Sequence, residues 1–287
     1  MPSIVIAAHN EAEVIDACLR ALQAQGVPGL EIIVVANGCS DGTAEVARRP
    51  GVTVLDRPEP GKTGALNAGD AVAVSLPRIY LDADIQVPDG GLAAVLARLE
   101  EDPRPLAVVP ARRLDTEGRP WPVRAYFAIN ERLPVFRNGL FGRGMIALSA
   151  EGRGRFDRFP EVIADDLFLD SQFADSEKAE ADRVVVTVAA PFTTRDLYRR
   201  LVRVRRGNAQ LRAAATAAQV EVAVRPVDRW AWWRAVVRPD PRLIPAAVPY
   251  LALTVGAALA ARFGSAERAG WGRAANTRRG TVAGGPS

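Results

Sequence analysis

Two pairs of acids stand out in this sequence. Asp82 and Asp84 close the segment Tyr80-Leu81-Asp82-Ala83-Asp84, and at i and i+2 on an extended chain their carboxylates point the same way. Two such groups repel each other unless a cation lies between them. Mg²⁺ or Mn²⁺, held by one or two carboxylates plus substrate phosphates, is the usual arrangement. A cation there would neutralise a diphosphate leaving group as a bond breaks. The plainer alternative is a strand-end turn with solvated acids, and Asp-x-Asp alone does not decide between the two. Asp165 and Asp166 lie in Ala164-Asp165-Asp166-Leu167, at a helix start. Either they serve the helix dipole, or crowding and burial raise one of their pKa values toward that of a general base.

A third signal is Gly61-Lys62-Thr63-Gly64-Ala65-Leu66-Asn67-Ala68-Gly69. Its glycines let backbone approach a phosphate or ribose, its helix start favours anions, and Lys62 adds charge. It is not a P-loop, because Lys62 does not end a Gly-x-x-x-x-Gly-Lys pattern. A fourth is Asn37-Gly38-Cys39-Ser40-Asp41-Gly42-Thr43, where Asn37 can offer its amide to a nucleobase and Asp41 is first of all a helix cap. His9 is the sole histidine. A Ser-His-Asp triad would have to use it, and a multi-histidine zinc site is excluded, so carboxylates are left to carry catalysis. Cys18 and Cys39 show no metal-ligand spacing, which argues against a disulfide framework and for a reducing compartment.

The hydrophobic pattern predicts the scaffold for these groups. Apolar runs predict strands over 3–7, 31–36, 52–55, 78–81 and 106–109, then 145–149 and 184–190. Asn10, with Glu13 as capping-box partner, predicts a helix start, and Ser40 or Asp41 caps a second helix ending near Arg49. Further helices are expected over 62–74, 89–101 and 164–173, and residues 112–124, with Pro120 and Pro122, are expected to form a loop. Alternating strand and helix imply a mainly parallel sheet covered on both faces, with ligands beyond the carboxyl ends of the strands. His9-Asn10, Asn37-Gly38 and Asp82-Ala83-Asp84 each follow a predicted strand.

In order along the chain come Ile6-Ala7-Ala8-His9-Asn10-Glu11, the Asn-Gly-x-Ser-Asp-Gly-Thr turn at Asn37 and Gly-Lys-x-x-Ala-Leu-Asn at Gly61. Asp82-x-Asp84 and Asp165-Asp166-Leu167 follow. Together they resemble the family 2 glycosyltransferases over roughly residues 2–210. The resemblance implies an α/β, Rossmann-like GT-A domain over 1–210. It also implies an inverting transfer from a nucleotide-sugar donor to a hydroxyl acceptor, with a divalent cation, Mg²⁺ or Mn²⁺. Ala8, His9, Asn10 and Glu11 would line the nucleotide site. Asn37 stands where the family often has an acid contacting the base, Asp41 matches the acid before the second helix, and Lys62 would lie near the nucleotide. Asp82 would hold the ribose or the metal-bound phosphate side, and Asp84 the metal. Asp166 matches the family's catalytic base, with Asp165 as neighbour. Phe141-Gly142-Arg143-Gly144 resembles the loop beside donor and acceptor, which brings in Arg143 and Gly144. Ala36-Asn37 replaces a frequent acidic pair, so the nucleobase stays open. The Gln-x-x-Arg-Trp pattern of processive synthases is absent, so a single sugar transfer is expected.

The C-terminal third changes texture. Arg195, Arg199, Arg200, Arg203, Arg205 and Arg206 crowd together, and guanidinium forks bind phosphate well. Arg203 and Arg206 are candidates to close over the donor diphosphate or a phosphorylated carrier lipid; a solvated helix face is the alternative. Leu243 to Ala261 is 19 residues without a charge, near the ~20 needed to cross a bilayer. Arg234, Arg238 and Arg242 precede it, and Trp230, Trp232 and Trp233 suit an interface. Seven alanines and two prolines weaken its hydrophobicity. Residues 211–263 are therefore expected to form a helical segment that spans or lies on a membrane, with a core helix as alternative, and 264–287 a disordered tail. No basic leader precedes the first strand, which points the catalytic part to the cytoplasmic side. A net charge of +4 without interleaved aromatics gives no reason to expect nucleic acid. Two rival readings are a sugar-phosphate nucleotidyltransferase and a non-catalytic sugar-nucleotide-binding membrane partner. His9-Asn10-Glu11, where the first would want a basic glycine-rich loop, argues against it.

Overall fold

The structure, a computed structural model, describes residues 1–137, 139–161, 164–217, 225–226 and 228–263. Strand β1 (Ser3–Ala8) leads through α1 (Ile15–Gln23) to β2 (Glu31–Asn37), and α2 (Thr43–Ala47) leads on to β3 (Val52–Arg57). The chain returns through α3 (Lys62–Val72) to β4 (Arg78–Asp82), then through α4 (Gly91–Glu100) to β5 (Ala107–Asp115) and α5 (Trp121–Asn130). After these come β6 (Met145–Leu148), α6 (Ala150–Arg153), α7 (Asp165–Ser171) and β7 (Lys178–Ala189). The long helices α8 (Thr194–Thr216) and α9 (Ile244–Phe263) follow.

The strands form one seven-stranded sheet in the order β3-β2-β1-β4-β6-β5-β7. Only β6 runs against the others, pairing antiparallel with both β4 and β5. The chain winds outward from β1 to β3 and then jumps back to β4 on the other side of β1. That reversal opens a crevice between the carboxyl ends of β1 and β4, the position where α/β sheets bind ligands. Because β6 is reversed, its beginning lies at this rim, and the Gly144 carbonyl accepts from Asp82 N at 2.8 Å.

Alternate residues of the strands feed two cores. Ile4, Ile6 and Val34 pack under α1 and α4, against Leu19, Leu22, Leu92 and Val95. Val5, Ile33 and Val35 pack on the other face, against Ala65 and Leu66 of α3 and Leu167 and Phe168 of α7. Burial on both faces is what turns these strands into continuous apolar runs. Helix α3 lies flush on β1, since a Cβ at Gly69 would come within 2.3 Å of Val5 Cγ1. One buried ion network locks α3 to β4: Asp70 accepts from Arg78 Nη1 at 2.7 Å, from the Tyr80 hydroxyl at 2.8 Å and from Arg153 Nη2 at 3.1 Å. A third core joins α5, α8, α9 and the helical turn Trp232–Val237 through Tyr126, Ile129, Leu197, Val237, Tyr250 and Leu253.

Several expectations are corrected. Asn10 does not cap a helix: its φ is 55°, α1 starts only at Ile15, and Asn10 Oδ1 instead accepts from Ser40 N at 2.8 Å. Residues 112–124 are not a loop. Strand β5 runs on to Asp115 beside β7, and Pro120 and Pro122 sit at the start of α5, where a missing N–H costs nothing. Strand β7 starts at Lys178, with a register shift opposite Pro110/Ala111 that lets its first part pair before the expected run. Helix α8 runs through the expected boundary at 210/211, and α9 packs on α5 and α8. The tail 264–287 lies outside the described residues.

Candidate active site

The turns after β1 and β2 are laced together. His9 Nδ1 donates to the Asn37 carbonyl at 2.6 Å, Glu11 N to Thr43 Oγ1 at 2.8 Å, and Ala12 N to Asp41 Oδ2 at 3.2 Å. Asp41 Oδ1 also accepts from Thr43 N at 3.0 Å, so Asp41, one residue before the Gly42 N-cap, ties the start of α2 to the turn after β1. Asn37 is fully buried. Its Nδ2 donates to the Ala8 carbonyl at 2.8 Å, and its Oδ1 accepts from Gly61 N at 3.0 Å. The amide expected to meet a nucleobase edge instead ties β1, β2 and the approach to α3 into one wall. Ala8, His9, Asn10 and Glu11 form that wall at the carboxyl end of β1.

The acids gather at the next station along the rim. Asp82 ends β4 and Lys62 begins α3, and Lys62 Nζ lies 2.8 Å from Asp82 Oδ1 and 2.9 Å from Asp165 Oδ2. Asp165 is buried, and half-buried Asp166 accepts from Gly142 N at 3.2 Å. One small cavity is lined by Lys62, Asp82, Gly144, Asp165, Asp166 and Leu169. Burial works against the charge on Lys62, but Asp165, Asp82 and Asp166 together hold its pKa well above the usual lysine range. The Asp166 carboxyl is pushed up to about 7, by burial first and by the charge of Asp165 next, against the pull of Lys62. Asp84, two residues beyond Asp82, is exposed and lies outside the cavity lining. Loss of hydration on its protein side, followed by the charge of Asp82, raises its pKa, with Arg200 the leading offset. A carboxyl that titrates near neutrality, beside a permanent ammonium, can take a proton from a bound hydroxyl. Asp82 and Asp84 are the carboxylates that could hold a hard cation. Among the described residues, no three Asp, Glu, His or Cys side chains converge as a metal cage.

Gly142 is the hinge between this cluster and a cationic neighbour. Its N–H serves Asp166, and its carbonyl accepts from Arg112 Nη1 at 3.1 Å. With φ at +70° and a Cβ position only 2.9 Å from Arg112 Nη1, a side chain there would be strained and crowded. Arg112 rests over the Phe136 ring at 4.6 Å, and its pKa is lowered to about 10 by burial, then by Arg143 and Arg200. Arg203 is likewise lowered by burial and Arg200, while Asp165 and Asp82 pull it up. Among the described residues, no carboxylate pairs with Arg112, Arg200 or Arg203. Arg143 turns away from the acids. It is buried, pairs with Glu180 of β7, and donates to the Pro110 and Phe136 carbonyls at 3.1 and 2.6 Å. Arg206 reaches α9, where its Nη2 donates to the Ala260 carbonyl at 3.4 Å.

The structure therefore brings together Lys62, Asp82, Asp84, Gly144, Asp165, Asp166 and Arg203, and directs Asn37, Arg143 and Arg206 elsewhere. Arg200 read only as one of the six crowded arginines, and Arg112 was not singled out. Arg200 was legible as the i−3 neighbour of Arg203 on one helix face. Arg112 gave no signal, because its strand read as a loop.

The sequence profile described as Glycosyl transferase family 2 matches residues 3–148. An uncharacterised glycosyltransferase of Mycobacterium tuberculosis is 33% identical over 120 residues, covering 42% of this chain and 52% of that protein. Glycosyltransferase AglE of Haloferax volcanii is 33% identical over 90 residues, covering 29% and 30%. The chain thus spans about half the length, or less, of the curated relatives it matches. Among solved structures, a mannosyltransferase of Pyrobaculum calidifontis in complex with GDP-Man and Mn²⁺ superposes with a TM-score of 0.60 at 23% identity, over 92% of this chain and 76% of that one. Glucosyl-3-phosphoglycerate synthase of M. tuberculosis, with Mn²⁺, UDP and glucosyl-3-phosphoglycerate, does so with a TM-score of 0.54 at 20% identity, over 74% and 79%. At these identities the likeness is one of fold.

Proposed function

The chain belongs to glycosyl transferase family 2, and from that premise we propose that it moves a single sugar, with inversion, from a nucleotide-sugar donor to a hydroxyl acceptor. The observation that carries this reading is Asp166, a half-buried carboxyl pushed up to about 7 and aimed by the Gly142 amide at the edge of the acid cavity. The acceptor hydroxyl binds against Asp166 and gives up its proton as its oxygen attacks the anomeric carbon. The diphosphate leaves from the opposite face. Proton removal of this kind contributes ~10²–10⁴ in rate. Lys62 pairs with Asp82 and Asp165 and holds the two carboxylates in place. Arg200 and Arg203, with no carboxylate partner among the described residues, bind the donor phosphates in this reading. The turns after β1 and β2 form the wall on the nucleotide side.

The donor set fits a divalent cation. Asp82 and Asp84 are hard oxygen ligands, and their mutual repulsion is felt in the raised carboxyl of Asp84. Two protein carboxylates leave the remaining positions to phosphate oxygens and water, the arrangement Mg²⁺ and Mn²⁺ favour. When bound, the cation supplies charge neutralisation to the departing diphosphate. The Mn²⁺ in both solved relatives supports this reading. The same reading puts the enzyme on the cytoplasmic side of a membrane that it contacts through its apolar C-terminal helix, long enough and apolar enough at Pro241–Phe263 to cross one.

The test is nucleoside diphosphate release from a panel of GDP- and UDP-sugars with Mn²⁺. One donor is expected to be hydrolysed slowly without acceptor, and Asp166→Asn to suppress transfer while donor binding persists. Release of pyrophosphate instead, or of nothing from any donor, overturns the proposal.

A further inference from the structure

Helix α9 has two apolar faces, and only one of them is covered. Ala247, Tyr250, Leu253 and Ala257 are buried against α5 and α8. Tyr126 stacks on Tyr250 with centroids 5.3 Å apart, and the Tyr198 hydroxyl donates to the Gly256 carbonyl at 3.1 Å. The opposite face carries Ile244, Val248, Ala252, Val255, Leu259 and Phe263, spaced by three or four residues and so aligned along one stripe. Its large members are 51–74% exposed. The stripe extends the full length of the helix, about 30 Å at 1.5 Å per residue. A helix that crossed a bilayer would surround every face with lipid, and α9 would have to abandon α5 and α8 to do so.

The surroundings of the stripe identify what covers it. Residues 228–263 contain five arginines, Arg229, Arg234, Arg238, Arg242 and Arg262, and two acids, Asp240 and Asp228, the latter paired with Arg234 at 2.8 Å. All five arginines are exposed, as are the Trp230 and Trp233 side chains just ahead of the helix. An apolar stripe bordered by arginine and tryptophan matches the headgroup boundary of a membrane rich in anionic lipid. We infer that α9 docks this protein onto an anionic bilayer with the helix axis in the membrane plane, its outer stripe in the lipid and its inner face still on the domain. The inference stands on contacts separate from the acid cluster, so vesicle binding and donor turnover can fail independently.

The docking fixes where the cleft lies. Helix α8 presents Tyr198 and Arg206 to α9. From its other side, Arg200 and Arg203 act on Asp84, Asp82 and Asp165. With α8 between α9 and the acids, the cluster stands about two helix diameters, roughly 20–24 Å, from the lipid-facing stripe, within reach of a hydroxyl carried on a membrane-anchored acceptor.

Flotation of the full chain with vesicles tests this, using phosphatidylcholine alone and phosphatidylcholine mixed with phosphatidylglycerol. The chain is expected to float with the mixed vesicles, to be released by alkaline carbonate and to stay monomeric without lipid. Val248→Asp combined with Val255→Asp should cut binding by roughly tenfold or more, with an unchanged thermal melt and unchanged donor hydrolysis. Arg238→Gln combined with Arg242→Gln should weaken binding several-fold and only on anionic vesicles. Resistance to alkaline carbonate, equal flotation with both vesicle types or full flotation of the aspartate variant overturns the inference. So does a dimer that the aspartate variant dissociates, because a second copy would then cover the stripe.

Discussion

The proton on Asp166 governs rate and stability in opposite directions. Its folded carboxyl titrates at about 7, while the same group in an unfolded chain titrates near 4. Between those values the folded state binds more protons than the unfolded one, so stability falls as pH rises through the window. Activity does the reverse, because only the ionised carboxylate accepts a proton. The kcat/KM of transfer should therefore climb with pH and level off above about 7. Asp166→Asn should lower transfer ~10²–10⁴-fold, leave nucleotide binding measurable by titration calorimetry, and flatten the fall in urea stability between pH 4 and 7. At this scale the chemistry of a residue was readable from the chain, and its direction was not. Lys62, Asp82 and Asp166 stood out by type, Asp82 at a strand end and Lys62 and Asp166 at helix starts, and they line one cavity. Asn37, Arg143 and Arg206 are equally polar but point into backbone, toward Glu180 and onto α9. Nothing in their spacing distinguishes those outcomes, since they depend on which carbonyl or carboxylate the fold brings near.

Elements hold these side chains through a few buried ties. Asp70 is 6% exposed and joins α3 to β4 and α6 through Arg78, Tyr80 and Arg153. Asp70→Ala leaves Arg78 buried without its partner, so it should cost about 3–5 kcal/mol. A lowered urea midpoint at unchanged m-value would verify this. At the far end of α7, Asp170 Oδ1 accepts from Leu140 N at 3.0 Å and pairs with Lys178 at 3.0 Å, while Asp166 holds Gly142. Helix α7 thus anchors the 140–144 turn at two points, and that turn aims the base. Most elements were legible because doubly buried parallel strands and amphipathic helices carry strong periodicity. The failures had local causes. Pro120 and Pro122 read as breakers but open α5, and the first half of β7, rich in charge, carries no strand signal until β5 pairs with it.

The whole molecule is closed by its third core. Tyr126, Ile129 and Leu197 are covered by Val237, Tyr250 and Leu253 of the C-terminal segment. Removal of residues 241–287 should therefore uncover α5 and α8 rather than release a soluble catalytic domain. Hydrogen exchange in 121–130 and 194–212 should speed up, and the shortened chain should aggregate on expression. Sequence alone could not foresee this, because a run of alanine, leucine and valine has the same composition in lipid, in a core or, as in α9, against both. The reversed strand β6 has a consequence of its own. The chain visits the rim on its way into β6, whereas it visits the rim on leaving β1, β2 and β4. Changes in the length of residues 131–137 would then leave the register of every strand as it is, while the 140–144 turn stays fixed by α7. The stretch that leads into β6 and the stretches that leave β1, β2 and β4 can then vary independently of one another, each reaching the same rim from the opposite direction along the chain.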